Sequence, residues 1–250
     1  MARILAVTGM HRSGTSMVAD YLRQCGIDMG ETLWPADVGN PRGYHEDVDF
    51  LRFHQELLAS LGLSTFPTND MHVPGQIPDD FLLKAREILR KKMQRPLWGW
   101  KDCRTSLFLE FWQGMIPQMN ALFLFRHPIS VVDSLLRRGT DPSITQHPVL
   151  GFESWWLHNQ RILRFYRTNE ERCFLVDIDD LVRSPTMAFR RLFSKLNIDL
   201  LAQDFGTVYE PAAFKQGKSA RHIYLMLRYP LHTLRCLRLY HGMRELADWP

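Results

Sequence analysis

The chain has 250 residues, 45% of them hydrophobic and 23% charged, an ordinary balance for a globular protein with a full buried core. Its length favours one large α/β domain over two small ones. The net charge of +4, from 31 Lys and Arg against 27 Asp and Glu, suits an anionic ligand but lacks the clustered excess of a nucleic-acid binder, so no nucleic-acid partner is expected.

In chain order, residues 3–8 read as a buried strand through Ile4, Leu5, Ala6 and Val7. Residues 13–25 read as a helix with Ser13 near its N-cap and Gly26 at its end. Gly, Pro, Asn and Asp from Asp28 to Gly43 predict a long loop, and helical spacing returns from Asp47 to Leu61. Residues 62–79 are rich in Gly and Pro and read as a surface segment, a candidate lid or acceptor-binding region. Asp80 to Met93 reads as an amphipathic helix with Lys84, Arg86, Arg90, Lys91 and Lys92 on its outer face. A short strand follows at Leu97–Trp100, a helix at Ser106–Ile116, and a continuous apolar strand at Ala121–Phe125. Pro128 opens a helix through Arg138. After a polar loop at 139–148 come a long aromatic helix over about 150–168, a strand at Cys173–Val176 and a helix from Pro185 to Leu196. Strands separated by helices argue a mostly parallel central sheet covered on both faces, a three-layer α/β/α fold.

The segment 201–250 reads as a basic extension to a core at 1–200, the whole forming a single domain. Lys215, Lys218, Arg221, Arg228, Arg235 and Arg238 alternate there with Ile223, Leu225, Leu227, Leu231, Leu234, Leu237 and Leu239. Such a stretch either lies on an anionic membrane surface or covers the sheet with its charges in solvent. Cys25, Cys103, Cys173 and Cys236 lie far apart with no C-x-x-C pair, so reduced thiols in a cytoplasmic protein are expected and no metal site is. No secretory signal is evident, and no apolar run approaches the ~20 residues of a membrane span. Oligomeric state is not legible.

Four constellations carry chemistry. Gly9-Met10-His11-Arg12-Ser13-Gly14-Thr15-Ser16 joins a strand to a helix, the geometry of a phosphate-binding loop. The pattern G-x-x-x-x-G-K-[ST] is met at Gly9, Gly14 and Ser16, but Thr15 replaces the lysine and Arg12 supplies the loop's cation. Arg126 closes the most apolar strand, with Ser134 eight residues on, and reads as a second anion site beyond the carboxyl ends of the strands. Asn40-Pro41-Arg42-Gly43-Tyr44-His45-Glu46 feeds a helix, and Trp100-Lys101-Asp102-Cys103-Arg104 sits at another strand end.

The first two motifs resemble the 5′-phosphosulfate loop and the 3′-phosphate motif of sulfotransferases that use 3′-phosphoadenosine 5′-phosphosulfate (PAPS). Asp177-Ile178-Asp179-Asp180-Leu181-Val182-Arg183-Ser184-Pro185 is similar to that family's strand-turn-helix ahead of its late helix, so the resemblance covers about residues 3–197. It implies a P-loop-like fold and a nucleotide held by His11, Arg12, Ser13, Gly14, Thr15, Ser16, Arg126 and Ser134, with adenosine 3′,5′-bisphosphate as product. It implies Glu46 as the base, with His45 as the second candidate, and no metal. Lys101, Asp102 and Arg104, similar to a K-D-P-R motif with Cys103 in place of proline, would position the acceptor or neutralise developing charge, Lys101 with a catalytic part. Lys215-Gln216-Gly217-Lys218 is only a loose counterpart of the basic-Gly segment that closes over the nucleotide. The acceptor is expected to be a hydroxyl on a carbohydrate or other extended alcohol, with Trp34, Tyr44, Trp98 and Trp100 available to stack on sugar faces. The rival readings are a P-loop kinase of a small metabolite and a catalytically silent nucleotide-binding or membrane-surface module.

Overall fold

The structure is a computed structural model, and it describes residues 2–37, 39–64, 66–68, 77–209 and 220–249. Among them four strands form one sheet: β1 (Arg3–Thr8), β2 (Leu97–Lys101), β3 (Asn120–Phe125) and β4 (Cys173–Asp177). The order is β2-β1-β3-β4 and every pairing is parallel, with Ala6 opposite both Trp100 and Ala121, and Leu124 opposite Val176.

The helices are α1 (Thr15–Gln24), α2 (Val48–Ser60), α3 (Asp79–Lys92), α4 (Leu109–Met115), α5 (Pro128–Arg138), α6 (Pro142–Gln146), α7 (Val149–Thr168), α8 (Ile178–Leu181), α9 (Pro185–Lys195), α10 (Ala220–Arg228) and α11 (Pro230–Leu246). Successive strand side chains point to opposite faces. Leu5, Val7, Leu122, Leu124, Phe174 and Val176 accordingly meet α1 and α9 on one face, through Val18, Leu22, Phe189 and Leu192. Ile4, Ala6, Trp98, Trp100, Ala121 and Phe123 meet the larger layer of α2, α3, α4, α5, α7 and α11 on the other. The fold is three-layer α/β/α around a parallel sheet. Beyond β4, Asp248 N donates to Leu175 O (2.8 Å) and Trp249 bridges to Val176 in parallel, so the end of the chain pairs with the strand at the sheet's edge.

Several local expectations need correction. The helix expected over 13–25 is α1, Thr15–Gln24, with Gly14, next to Ser13, as its N-cap; the φ of Gly14, 81°, lies in the left-handed region and no side chain caps the helix. The polar loop 139–148 contains α6, whose first turn is capped by Asp141 accepting from Ile144 N at 3.1 Å. A 3-10 turn, Cys103–Leu107, precedes α4, so the helix expected from Ser106 starts later. Lys92 does not lie on the outer face of α3: it is buried, with Nζ 2.5 Å from Oδ2 of Asp47, the N-cap of α2. In the C-terminal segment Cys236, Tyr240 and Met243 of α11 pack into the core beside α7, while much of α10 faces outward. No helix among the described residues is long and apolar enough to cross a membrane.

Candidate active site

The carboxyl ends of β1, β2 and β3 deliver their loops to one rim of the sheet. Gly9 is required there by close approach: a Cβ would lie 2.1 Å from Leu124 O on β3. Arg12 then takes a left-handed φ of 69°, uncommon for a residue with a side chain. That turn leads into α1, whose first N–H groups have no side-chain cap. Unpaired helix N–H groups at a positive dipole end favour an anion. The buried Ser13 Oγ also has no hydrogen-bond partner.

Arg12, Gly14, Thr15, Ser16 and Arg126 line one pocket together with Asn40, Arg42 and His45. The two basic motifs, 114 positions apart in sequence (12 to 126), thus face one cavity rather than two. Arg12 Nε donates to Ser134 Oγ at 3.0 Å, which ties the loop to α5. Burial lowers the pKa of Arg12, and Arg138, Arg137 and Arg126 push in the same direction; accumulated positive charge of this kind is relieved by an anion. Arg126 Nε lies 3.4 Å from Asp179 Oδ1, and Trp155 Nε1 donates to its carbonyl at 3.0 Å, which fixes the end of β3.

A second pocket adjoins the first, lined by His11, Trp34, Tyr44, Glu46, Phe66, Arg104, Arg138 and Thr140 among others. At the junction stands Lys101, the last residue of β2. Its Nζ lies 2.6 Å from Glu46 Oε1, 3.3 Å from Tyr44 O and 3.4 Å from Ser16 Oγ, so it reaches residues of both pockets. Burial alone would lower its pKa, but Glu46, Cys103 and Asp102 together outweigh it and the ammonium titrates above the usual lysine range. Asp102 is buried, which would raise its pKa; Arg104 Nη1 at 2.9 Å and His54 Nδ1 at 2.9 Å reverse that and hold it well below the carboxylate range. Trp112 Nε1 donates to His54 Nε2 at 2.8 Å, which puts the ring proton on Nδ1, facing Asp102. Asp102 therefore orients Arg104, whose guanidinium also comes within 4.0 Å of Glu46 Oε2.

His11 belongs by sequence to the anion loop, but its ring lines the second pocket. Cys103 Sγ lies 3.2 Å from His11 Nδ1 and 3.9 Å from Glu46 Oε1, between the two. Burial, reinforced by Arg104, His158 and Lys101, keeps His11 neutral at pH 7, and burial pushes the Cys103 thiol up to about 12. Glu46, Asp102 and Cys103 bring ligand-type atoms within 4.8 Å of one another, but Lys101 and Arg104 already supply cations to both carboxylates. His45, next to Glu46 in sequence, turns the other way: it lines the first pocket, with Nε2 3.0 Å from Arg42 O and Nδ1 3.8 Å from Asp20.

Of the four aromatics considered for stacking, Trp34 and Tyr44 line the second pocket. Trp98 and Trp100 do not; both are buried in the core, where Trp100 stacks on Phe50 at 4.3 Å. The sequence singles out Asn40 within its loop motif without a role, and gives no role to His54 or Arg138. Asn40 Nδ2 reaches Ser16 Oγ (3.3 Å) and Gly43 O (2.6 Å), which braces the loop before Glu46 against α1, and Arg138 donates to the Tyr44 hydroxyl at 2.7 Å. The Asn-Pro-Arg-Gly run was the available signal for Asn40; His54 carries none, since its partner lies 48 residues away. Lys215-Gln216-Gly217-Lys218 and residues 65 and 69–76 of the candidate lid lie outside the described residues.

No family model and no curated protein matches the sequence. Solved structures do. The sulfotransferase domain of the Synechococcus PCC 7002 olefin synthase superposes with a TM-score of 0.54 at 17% identity, covering 100% of this chain and 96% of that one. Sulfotransferase STF1 of Mycobacterium tuberculosis H37Rv gives 0.56 at 12% identity over 97% of this chain and 77% of that one. A sulfotransferase of Alicyclobacillus acidocaldarius gives 0.53 at 14% identity, with 98% and 100% covered. At these identities the likeness is one of architecture, and over its whole length this chain has the fold of the sulfotransferases.

Proposed function

We propose that the chain transfers a sulfuryl group from PAPS to an acceptor hydroxyl. The observation that carries the reading is the junction at Lys101, where an arginine-lined anion pocket opens onto a second pocket holding a carboxylate. The uncapped N-terminus of α1 and Arg12 suit the 5′-phosphosulfate, with Ser134 fixing Arg12 in place, and Arg126 suits the 3′-phosphate. The acceptor hydroxyl gives its proton to Glu46 as its oxygen bonds to sulfur. The bond from sulfur to the bridging phosphate oxygen breaks, and adenosine 3′,5′-bisphosphate leaves. Arg12 and Lys101 offset the charge that moves toward the leaving phosphate, and the donor set is fixed in place before the reaction.

Trp34 and Tyr44 in the second pocket favour a carbohydrate or another extended alcohol as acceptor, and the four buried free thiols fit a reducing cytoplasmic setting. A kinase of the P-loop type would need a lysine where Thr15 stands. Calorimetry tests the donor: adenosine 3′,5′-bisphosphate should bind far more tightly than ATP, and equal or tighter ATP binding sinks the proposal. Radiolabelled PAPS offered with glycan, lipid, phenol and peptide pools tests the reaction and finds the acceptor; transfer to any of them excludes a silent module.

A further inference from the structure

The α10–α11 corner is anchored from beneath and bare on top. Leu225 of α10 and Thr233, Cys236, Tyr240 and Met243 of α11 are buried, and Tyr240 donates to Asp177 at 2.5 Å while Arg244 holds Asp180 at 2.8 Å. On α10, Arg221 Nη1 and His222 Nε2 lie 3.3 Å and 3.6 Å from the carboxylate of Asp133, the residue before Ser134. The other side of the same two helices exposes Ile223, Tyr224, Met226, Leu227, Leu231 and Leu234, with Leu227 at 77% and Leu231 at 78% exposure on either side of the turn at Pro230. Six large apolar side chains exposed within twelve residues of two packed helices are a concentration of the kind that marks an interaction surface.

Charge selects the occupant. From residue 211 to residue 244 the sequence contains no Asp or Glu, and Arg228, Arg235 and Arg238 flank the apolar side chains. Glu245 follows near the end of α11, and two acids that contact this region are engaged: Asp133 with Arg137 and Arg221, and Glu153 with His232. A symmetric pairing with a second copy would set arginines against arginines, because such an interface repeats the same patch on both sides. The patch is also a corner where two helices meet, presenting leucines outward. Leucines at the level of acyl chains with arginine stems lying along them and guanidiniums at phosphate depth describe an interfacial anchor.

We propose that the α10–α11 corner docks the protein on an anionic lipid bilayer, with Leu227 and Leu231 inserted and Arg228, Arg235 and Arg238 at the headgroups. The test is co-sedimentation of the full chain with extruded vesicles of phosphatidylcholine alone or with about one third phosphatidylglycerol. Binding should be at least about tenfold tighter to the anionic vesicles and should fall away at about 0.5 M salt, where exposed charges are screened. Leu227→Ser with Leu231→Ser should weaken that binding about tenfold or more, and Arg228→Glu with Arg238→Glu should abolish the preference for anionic lipid. These side chains are exposed and line neither pocket, so nucleotide affinity is the folding control and should not change. The proposal is overturned if wild-type protein ignores anionic vesicles at low salt, or if the leucine double variant binds them equally well. A dimer in light scattering that the leucine variant dissociates, without vesicle binding by the wild type, assigns the patch to self-association instead.

Discussion

Replacing Glu46 with glutamine separates the proton acceptor from the nucleotide site. Glu46 lines the second pocket, whereas Arg12, Ser16 and Arg126 line the first, so affinity for adenosine 3′,5′-bisphosphate should stay within about threefold of wild type. Turnover should fall by about 10²–10⁴, the usual contribution of a positioned general base. Stability should fall as well, because Lys101 is buried and its closest partner is this carboxylate at 2.6 Å. Removing one partner of a buried ion pair costs about 3–5 kcal/mol. Lys101 also lies near Tyr44 O and Ser16 Oγ, and glutamine still offers an oxygen, so the lower end, about 3 kcal/mol, is expected. Adding Lys101→Met removes the stranded charge and should recover much of the stability without any recovery of turnover. Single-turnover transfer at saturating PAPS, calorimetry and urea unfolding together read the three quantities. Turnover within about threefold of wild type would refute Glu46 as the base. The neutral imidazole of His11, on the far side of Cys103, would then be the group to replace.

In the first pocket, Arg12→Ala should weaken adenosine 3′,5′-bisphosphate binding about 10–100-fold by calorimetry, as expected for a lost charge-assisted hydrogen bond, and Arg126→Ala should do the same. Ser134→Ala keeps both charges and only frees Arg12, so about threefold is expected; an effect as large as that of Arg12→Ala would mean that Ser134 contacts the ligand itself. Gly9→Ala should cost at least about 2 kcal/mol in denaturant unfolding, because its Cβ would meet the backbone oxygen of Leu124, which cannot move without breaking the sheet. Asp177 is held by burial at a pKa of about 6, above its ordinary 3.8. Its folded form binds the proton more tightly than the unfolded chain does, so its contribution to stability is complete below pH 3.8 and is lost as pH rises through about 6. Asp177→Asn loses one of the two acceptor oxygens used by Tyr240 and Asp179 N, but relative to wild type its stability in denaturant unfolding should improve by up to about 3 kcal/mol between pH 4 and pH 8; a difference independent of pH would remove the ionised carboxylate as its cause.

The sheet was legible because its strands are short runs of apolar residues ending at glycine, lysine, arginine or aspartate. Ile4–Val7 and Ala121–Phe125 cannot be amphipathic helices, and between them the helical spacing is regular enough to give the α/β order. The anion loop was legible because glycines and an arginine converge locally. What stayed hidden depends on contacts across the chain. Trp98 and Trp100 lie next to a site motif, and only the packing of α2 and α4 over β2 shows that both belong to the core. Lys92 completes a run of basic residues, yet its helix turns it inward to the N-cap of α2. The pairs His54–Asp102 and His158–Ser106 span 48 and 52 residues, and no local pattern announces either.

The substitution of Thr15 for the usual P-loop lysine gains its meaning from the sheet. A lysine at that position would extend from α1 along one chain of phosphates. Arg12 instead sits in the turn, in a left-handed conformation that costs about 1 kcal/mol or more, and is held across to Ser134 on α5. Arg126 reaches the same pocket from the end of β3, which pairs directly with β1. Neighbouring strands lie about 4.8 Å apart, so the separation of the two arginines is set by a rigid ladder rather than by a flexible loop. On the proposed reading, that ladder measures the distance between two anionic groups on one nucleotide, and a ligand with all its phosphates at a single end satisfies only one arginine. Slackening the ladder while leaving both arginines in place should then erode the preference for adenosine 3′,5′-bisphosphate over ATP more than it erodes ATP binding itself. Gly9→Ala, which forces β1 and β3 apart at this rim, is the substitution in which to look for that change.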